Sequence, residues 1–511
     1  MREIPDFGPS GRFAVVDIGS NSVRMVVFEG IARALVPLFN EKALCGLGRG
    51  LGATGKLNEQ GVDHALSTLR RFNAMAKRLG VAEVFAIATA AVREAQNGGQ
   101  FVREAKKALK APIRVIEGEE EATFAALGVA ASMRNTHGIV GDLGGGSLEL
   151  ARLDGIGIDQ CVSMPLGPFR LMDQAAAGSV KLDDIIDNVL KASLKTFSDG
   201  KHDNAPKNLY AVGGAWRTIG RIHMAEADYP LRILHQYAVP TSEMKELCGR
   251  LKGMSLDDIA ALPDVPTRRV DTLPYGAHVL ERLLELEEFE AFILSAHGVR
   301  EGAVYHHLND DELALDPLLS NCRAMALQYG RLEHMGQGGD VLRFPDEMFL
   351  WSRPLFASEH PYHMRRRHAA CILSDIAWRS PSDYRGEQAF AEIMRSALVG
   401  VRHEARGQIS LSVLYRYTGS ATSFEAIRVR DALPEETRER ARLVGLVMRL
   451  GISLSGGTAG VLPKCPLKLD GDKLILSVPA RLQPLASEVV ETRLSKVADQ
   501  LNVDYDIRRK K

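Results

Sequence analysis

An α/β fold over roughly the first 306 residues, followed by a helical region and a small α+β end, is what this sequence predicts. Three observations carry that expectation. Strands alternate with helices from about 12 to 306. The strand–turn–strand "VVDIGSNSVRMVV" returns as "VGDLGGGSLEL", with Asp142 following Asp17 by about a domain length. From 307 to 450 the signals become nearly all helical, and the last 60 residues switch again.

Taken in order, "RFAVVDIG" reads as a buried strand and "VRMVVFEG" as the strand returning from a turn. Val62, Ala65, Leu66, Leu69, Phe72, Ala76 and Leu79 recur at helical spacing, and Gly80 follows as a stop signal. "EVFAIATAA" is a strand, and 99–109 is a basic amphipathic helix. "IRVIEGEEEATFAALGVAASM" is a strand, a glycine turn and a helix with an acidic first turn. "NLYAVGGAWRTIG" and "AFILSAHGVREGAVYHHL" each run from strand through turn to helix. "PLKLDGDKLILSVP" reads as a hairpin around Asp470-Gly471-Asp472, ahead of a helix at 485–500 and a last strand. These transitions place domains at 1–136, 137–306, 307–450 and 451–511.

Composition narrows the function classes. Of 511 residues, 45% are hydrophobic and 25% charged, ordinary for a globular chain. Lys+Arg and Asp+Glu are equal at 64, so no net charge draws nucleic acid, and any polyanion must meet locally clustered cations. The six cysteines form no C-x-x-C pair, so neither a zinc site nor a disulfide framework is indicated. No apolar stretch is long enough for a membrane span. The N-terminus lacks the apolar core of a signal peptide, and a cytoplasmic location is expected.

Both glycine-rich turns lead into strands, not helices, and neither carries Gly-Lys-Ser/Thr, so neither is a P-loop or a dinucleotide fingerprint. Tight hairpin turns are expected, with Gly and Asn supplying positive φ. Successive backbone N–H groups in such turns form a concave anion site. Ser20, Asn21, Ser22 and Ser147, with Gly144, Gly145 and Gly146, are the candidate phosphate-binding residues. A carboxylate at the mouth of a phosphate turn needs a cation between them, which makes Asp17 and Asp142 candidate Mg²⁺ ligands. Either hairpin alone could be ordinary; two copies a domain length apart suggest two lobes clamping an oligophosphate.

This pair of turns resembles the two phosphate loops of the acetate kinase, sugar kinase, Hsp70 and actin superfamily (ASKHA). With "ATAAVREA", "EGEEEATF", "PLGPFRL", "AVGGAWRT" and "SAHGVREG" in order over the first 306 residues, the chain more specifically resembles the exopolyphosphatase/guanosine pentaphosphate phosphohydrolase (Ppx/GppA) family. The resemblance implies two ribonuclease H-like, actin-like lobes, then an HD-like helical domain and a small α+β domain. It implies Glu121 as the residue activating water, Glu149 joining Asp142 on the metal, and Arg93 on a phosphate. It also implies Mg²⁺, with Mn²⁺ as an alternative and a monovalent cation left open. The implied partners are inorganic polyphosphate or the alarmones pppGpp and ppGpp, and a second copy of the chain, with the helical region as candidate dimer interface. No nucleic acid or membrane is expected.

HD-type phosphohydrolases need a His-Asp pair around their metal. The only His-Asp here is His202-Asp203, away from the helical region, and His368 is followed by Ala369, so that domain is expected to be a degenerate scaffold. Its cations Arg365, Arg366, Arg367, Arg402 and Arg406 are expected either to line a groove for a long polyanion or to form a solvated helix face. Exopolyphosphatase action is the leading reading. Hydrolysis of guanosine pentaphosphate is the runner-up, and a non-catalytic polyphosphate or alarmone sensor a third.

Overall fold

The computed structural model describes residues 11–178, 181–195, 208–331 and 343–510; His202-Asp203 lies outside them. The chain divides into two compact units, Met1–Leu315 and Asp316–Lys511.

The first unit holds two sheets built on one plan. Strands β1 (Phe13–Ile18), β2 (Ser22–Phe28), β3 (Pro37–Leu44), β4 (Glu83–Ala88) and β5 (Ile113–Val115) lie in the order β3-β2-β1-β4-β5. Strands β6 (His137–Leu143), β7 (Leu148–Asp154), β8 (Gly157–Met164), β9 (Asn208–Gly213), β10 (Ala238–Pro240) and β11 (Ala291–Leu294) lie in the order β10-β11-β9-β6-β7-β8. In each, an antiparallel three-strand meander joins a parallel strand through its first member, β1 to β4 and β6 to β9. Helices cover the faces, so β1 is apolar apart from Asp17 and β6 is buried at Ile139, Val140, Gly141 and Leu143. The mixed α/β, actin-like character read from the sequence is the observed one.

The helix Gly118–Ser132 carries the acidic first turn and packs on the helix Val299–Tyr305 through glycines. A methyl group on Gly302 would overlap the Phe124 carbonyl, and one on Gly128 the Gly298 backbone. Gly302→Ala should therefore push the helix bearing Glu121 outward. We expect a loss of about 1–3 kcal/mol in urea unfolding together with reduced activity; an unchanged midpoint would show that the seam can yield.

The second unit is helical around one core that includes Trp351, Leu373, Ile409 and Leu450. It ends in a small sheet of β12 (Leu467–Asp470), β13 (Lys473–Pro479) and β14 (Asp504–Lys510), in that order. Gly471, at φ 62°, takes the turn between β12 and β13, where the sequence placed a hairpin. Among the described residues no helix is long and apolar enough to cross a membrane.

The arginines expected to line a groove behave otherwise. Arg366 and Arg367 are each 2% exposed and Arg406 1%. Arg367 binds Glu359 at 2.9 Å, donates to Phe349 O and Ser352 Oγ, and lies over the Phe349 and Phe356 rings. Arg366 donates to Glu404 and Gln408. Arg406 donates to the carbonyls of Ile393, Met394, Ser396 and Leu398, capping the end of the helix Arg385–Arg395. Arg365 grips Asp316 and the Gly400 carbonyl. Only Arg402 is exposed. Arg365, Arg366, Arg367 and Arg406 are spent on the unit's own acceptors, so for these four the groove reading is corrected to a structural one. His368 is likewise engaged, at 2.7 Å from Asp346 and stacked on Phe349.

Candidate active site

The two glycine-rich turns close in the same way. Gly19 N–H donates to Ser22 O at 3.0 Å, and Gly144 N–H to Ser147 O at 3.0 Å. None of Gly19, Asn21 or Gly144 to Gly146 takes positive φ, contrary to the conformation expected of them. The glycines are needed for close approach instead. A Cβ on Gly145 would stand 3.1 Å from Ser20 Cβ, and one on Gly146 3.1 Å from Ser20 Oγ. The turn of one sheet thus sits against the turn of the other.

They open into one cavity of about 150 Å³, lined by Ser20, Asn21, Ser22, Gly144, Gly145 and Ser147 together with Asp17, Glu121 and Asp142. The register explains its acidic side. Asp17 pairs across its hairpin with Arg24, whereas Asp142 pairs with Glu149. Like charges directly opposite repel, and both lie in a buried setting. Burial, chiefly, pushes the Asp142 carboxyl up to about 6, with Asp17 adding to the rise and Arg217 opposing it. Glu149 is 1% exposed, accepts from Ser163 Oγ at 2.8 Å through one oxygen, and has no donor on the other. Burial raises it too, against donation from Ser147 and Ser163 and with help from Asp142. Glu121 sits in the first turn of its helix, with Oε2 buried and without a donor. Burial first, then Glu149, Asp142 and Asp17, hold it well above the usual carboxylate range.

Two predicted residues have other partners. Arg93 donates to the Ile116 carbonyl at 2.7 Å and stands 3.8 Å from Glu121, and it is not among the residues lining the cavity. Asp17 is ion-paired with Arg300 at 3.0 Å.

Sequence reasoning missed the basic wall of the cavity, formed by Arg24, Lys42, Arg217, Arg269 and Arg300. Arg24, Arg217 and Arg300 stand inside motifs already quoted, next to turn residues; Lys42 and Arg269 carry no local signal. The wall is crowded: burial, then Arg269, Arg24, Arg300 and Arg268, bring the Lys42 ammonium down to about 8. The Arg269 guanidinium covers the "VGGAWRT" turn so closely that a methyl on Gly214 would overlap it. Acidic floor and basic wall together suit a metal-neutralised polyanion.

Comparison with known proteins agrees with this geometry. The model of the Ppx/GppA phosphatase family matches residues 25–311, and a model described as exopolyphosphatase, C-terminal, matches 355–503. An exopolyphosphatase structure from Cytophaga hutchinsonii is 24% identical, covering 58% of this chain and 97% of that one, with a TM-score of 0.52. An exopolyphosphatase-like protein is 20% identical, covering 57% and 98%, with a TM-score of 0.51. A Ppx/GppA family member from Aquifex aeolicus is 24% identical over 58% and 96%, with a TM-score of 0.48. The first two likenesses bear on the fold, and the family model spans more than half the chain. With paired turns, buried carboxylates and a cationic wall in one cleft, the chain belongs to the Ppx/GppA phosphatase family and is a phosphoanhydride hydrolase.

Proposed function

We propose that the cleft removes the terminal phosphate of inorganic polyphosphate, releasing orthophosphate. The observation that carries this reading is the meeting of both turns at one cavity holding the buried Glu121 and five cations. Backbone amides and serines of the turns bind the terminal phosphoryl groups. Arg24, Lys42, Arg269 and Arg300 take the charge of the following units. Glu121 accepts a proton from water as its oxygen bonds to the terminal phosphorus; the bridging P–O bond breaks on the far side, and orthophosphate leaves. The shortened chain then shifts by one unit against the same turns, which makes the action processive.

The carboxylates fit a divalent cation. Glu149 has a buried oxygen without a donor, and its repulsion with Asp142 is of the kind a cation relieves. Among the described residues no three His, Cys, Asp or Glu side chains converge to hold an ion by themselves. That suits Mg²⁺, which keeps several waters and takes only one or two carboxylates beside substrate phosphates. Asp142 and Glu149 would hold it, with Asp17 through water; bound there, it would neutralise charge on the phosphates. Mn²⁺ could replace it, and a monovalent cation is left open. A cytoplasmic homodimer completes the reading, and sedimentation tests the dimer.

Orthophosphate release from long polyphosphate, guanosine pentaphosphate and ATP, with Mg²⁺ and after EDTA, tests this assignment. We expect polyphosphate to be preferred and chelation to abolish release. Release from the guanosine compound alone would favour the alarmone reading, and binding without release would favour a sensor. The Arg269 guanidinium over the "VGGAWRT" turn supports phosphate binding beside it.

A further inference from the structure

The second unit contains a cavity of about 530 Å³. It lies where the end of the helix His403–Thr418 meets the helices Glu435–Ser455 and Glu488–Leu501. Arg442, Arg449, Arg493 and Lys496 line it, against two carboxylates, Glu439 and Asp499. Glu439 accepts from Gln500 Nε2, and Asp499 stands 3.8 Å from Lys496.

Arg442 and Lys496 are exposed and Arg449 and Arg493 half-buried. Elsewhere in the unit Arg365, Arg366, Arg367 and Arg416 each hold a carboxylate within 2.9 Å. Among the described residues, Arg442, Arg449 and Arg493 hold none. Arg449 donates to the Tyr417 carbonyl, at 2.6 Å, and Arg493 Nε is buried with no acceptor among the described residues, as are the Nε atoms of Arg366, Arg406 and Arg416. Burial, then Arg493 and Arg416, draws Arg449 down to about 10. Guanidinium groups that line one cavity without a carboxylate partner suit a multiply charged anion, and their planar fork matches phosphate oxygens. The volume suits a small ligand, and Ser420 and Asn502 add polar groups at the rim.

We propose that this cavity is a second anion site, taking a short oligophosphate of two or three phosphoryl groups between Arg442, Arg449, Arg493 and Lys496. It is built from residues of the second unit alone and stands whether or not the catalytic reading holds.

Calorimetric titration of the full chain with imidodiphosphate, whose P–N–P bridge resists hydrolysis, tests the site. The Arg442→Gln/Arg493→Gln variant should lose one class of binding at least tenfold, with its melting temperature kept. Lys496→Gln, on a side chain 61% exposed, should weaken the same class by about two- to threefold without touching the fold. A wild type showing only the class that depends on Arg442 and Arg493 would support this site while counting against phosphate binding in the cleft. Unchanged binding in both variants would overturn the proposal. So would a class that depends on Arg442 and Arg493 but is filled by long polyphosphate and not by imidodiphosphate.

Discussion

Glu121→Gln should lower kcat for orthophosphate release by about 10²- to 10⁴-fold, with KM changed far less. The amide keeps the size of the side chain and removes its capacity to take a proton. The same substitution should not cost stability. Glu121 is 9% exposed and has a buried oxygen without a donor, facing Glu149, Asp142 and Asp17. Its folded pKa is raised above the unfolded value, so the native state binds the extra proton. Its contribution to stability therefore falls as pH rises from about 4.5 through the raised value. Melting of the wild type and the variant in chelator should show the variant no less stable at pH 5, and increasingly the more stable toward alkaline pH. The acid limb of kcat/KM, lying above the ordinary carboxylate range in the wild type, should vanish in the variant. Undiminished turnover would remove Glu121 from its role, and a variant that melts earlier at every pH would contradict the repulsion.

Arg367→Ala should destabilise the second unit by about 3–5 kcal/mol, the cost of leaving a buried charge without its partner. The Glu359 side chain, 2% exposed, would lose its 2.9 Å partner, since Arg440 reaches it only at 3.6 Å. The Phe349 and Phe356 rings would lose the guanidinium that covers them. Replacing both charges, as Glu359→Gln with Arg367→Met, should recover much of the loss, because a neutral pair needs no counter-charge. Arg402→Ala, at an exposed position, should shift the denaturation midpoint by less than about 0.5 kcal/mol. A polyanion groove predicts the opposite pattern: an unchanged midpoint for Arg367→Ala and a selective loss of activity on long chains. Denaturant unfolding beside assays on long and short polyphosphate separates the two.

How much of this was legible beforehand depends on how far apart the interacting groups lie in the chain. The paired turns, the strand–helix alternation and the Gly471 hairpin were readable, because their bonds join residues a few positions apart and leave a local pattern. Glu149 was joined to Asp142 only through the family resemblance, and the register that sets the two opposite each other is given by the folded hairpin. The conformation of the turn glycines was misread: positive φ is a local reason for glycine, whereas close approach to Ser20 comes from a different sheet. Arg365 to Arg367 gave a clear charge signal and a wrong location. A run of arginines on one helix looks solvated until another helix supplies Glu404, and the chain before it supplies Glu359.

The sequence by itself determined the two sheets, the two Asp-bearing turns and the acidic helix start, since hydrophobic period and turn chemistry act over a few residues. Tertiary structure alone decided that both turns face one cavity. It also decided that cations from positions 24, 42, 217, 269 and 300 form its wall, and that three of the five arginines expected to line a groove are buried. Whether a charge is spent on a protein acceptor or left for a ligand depends on burial and on partners from distant segments, which no short stretch of sequence records.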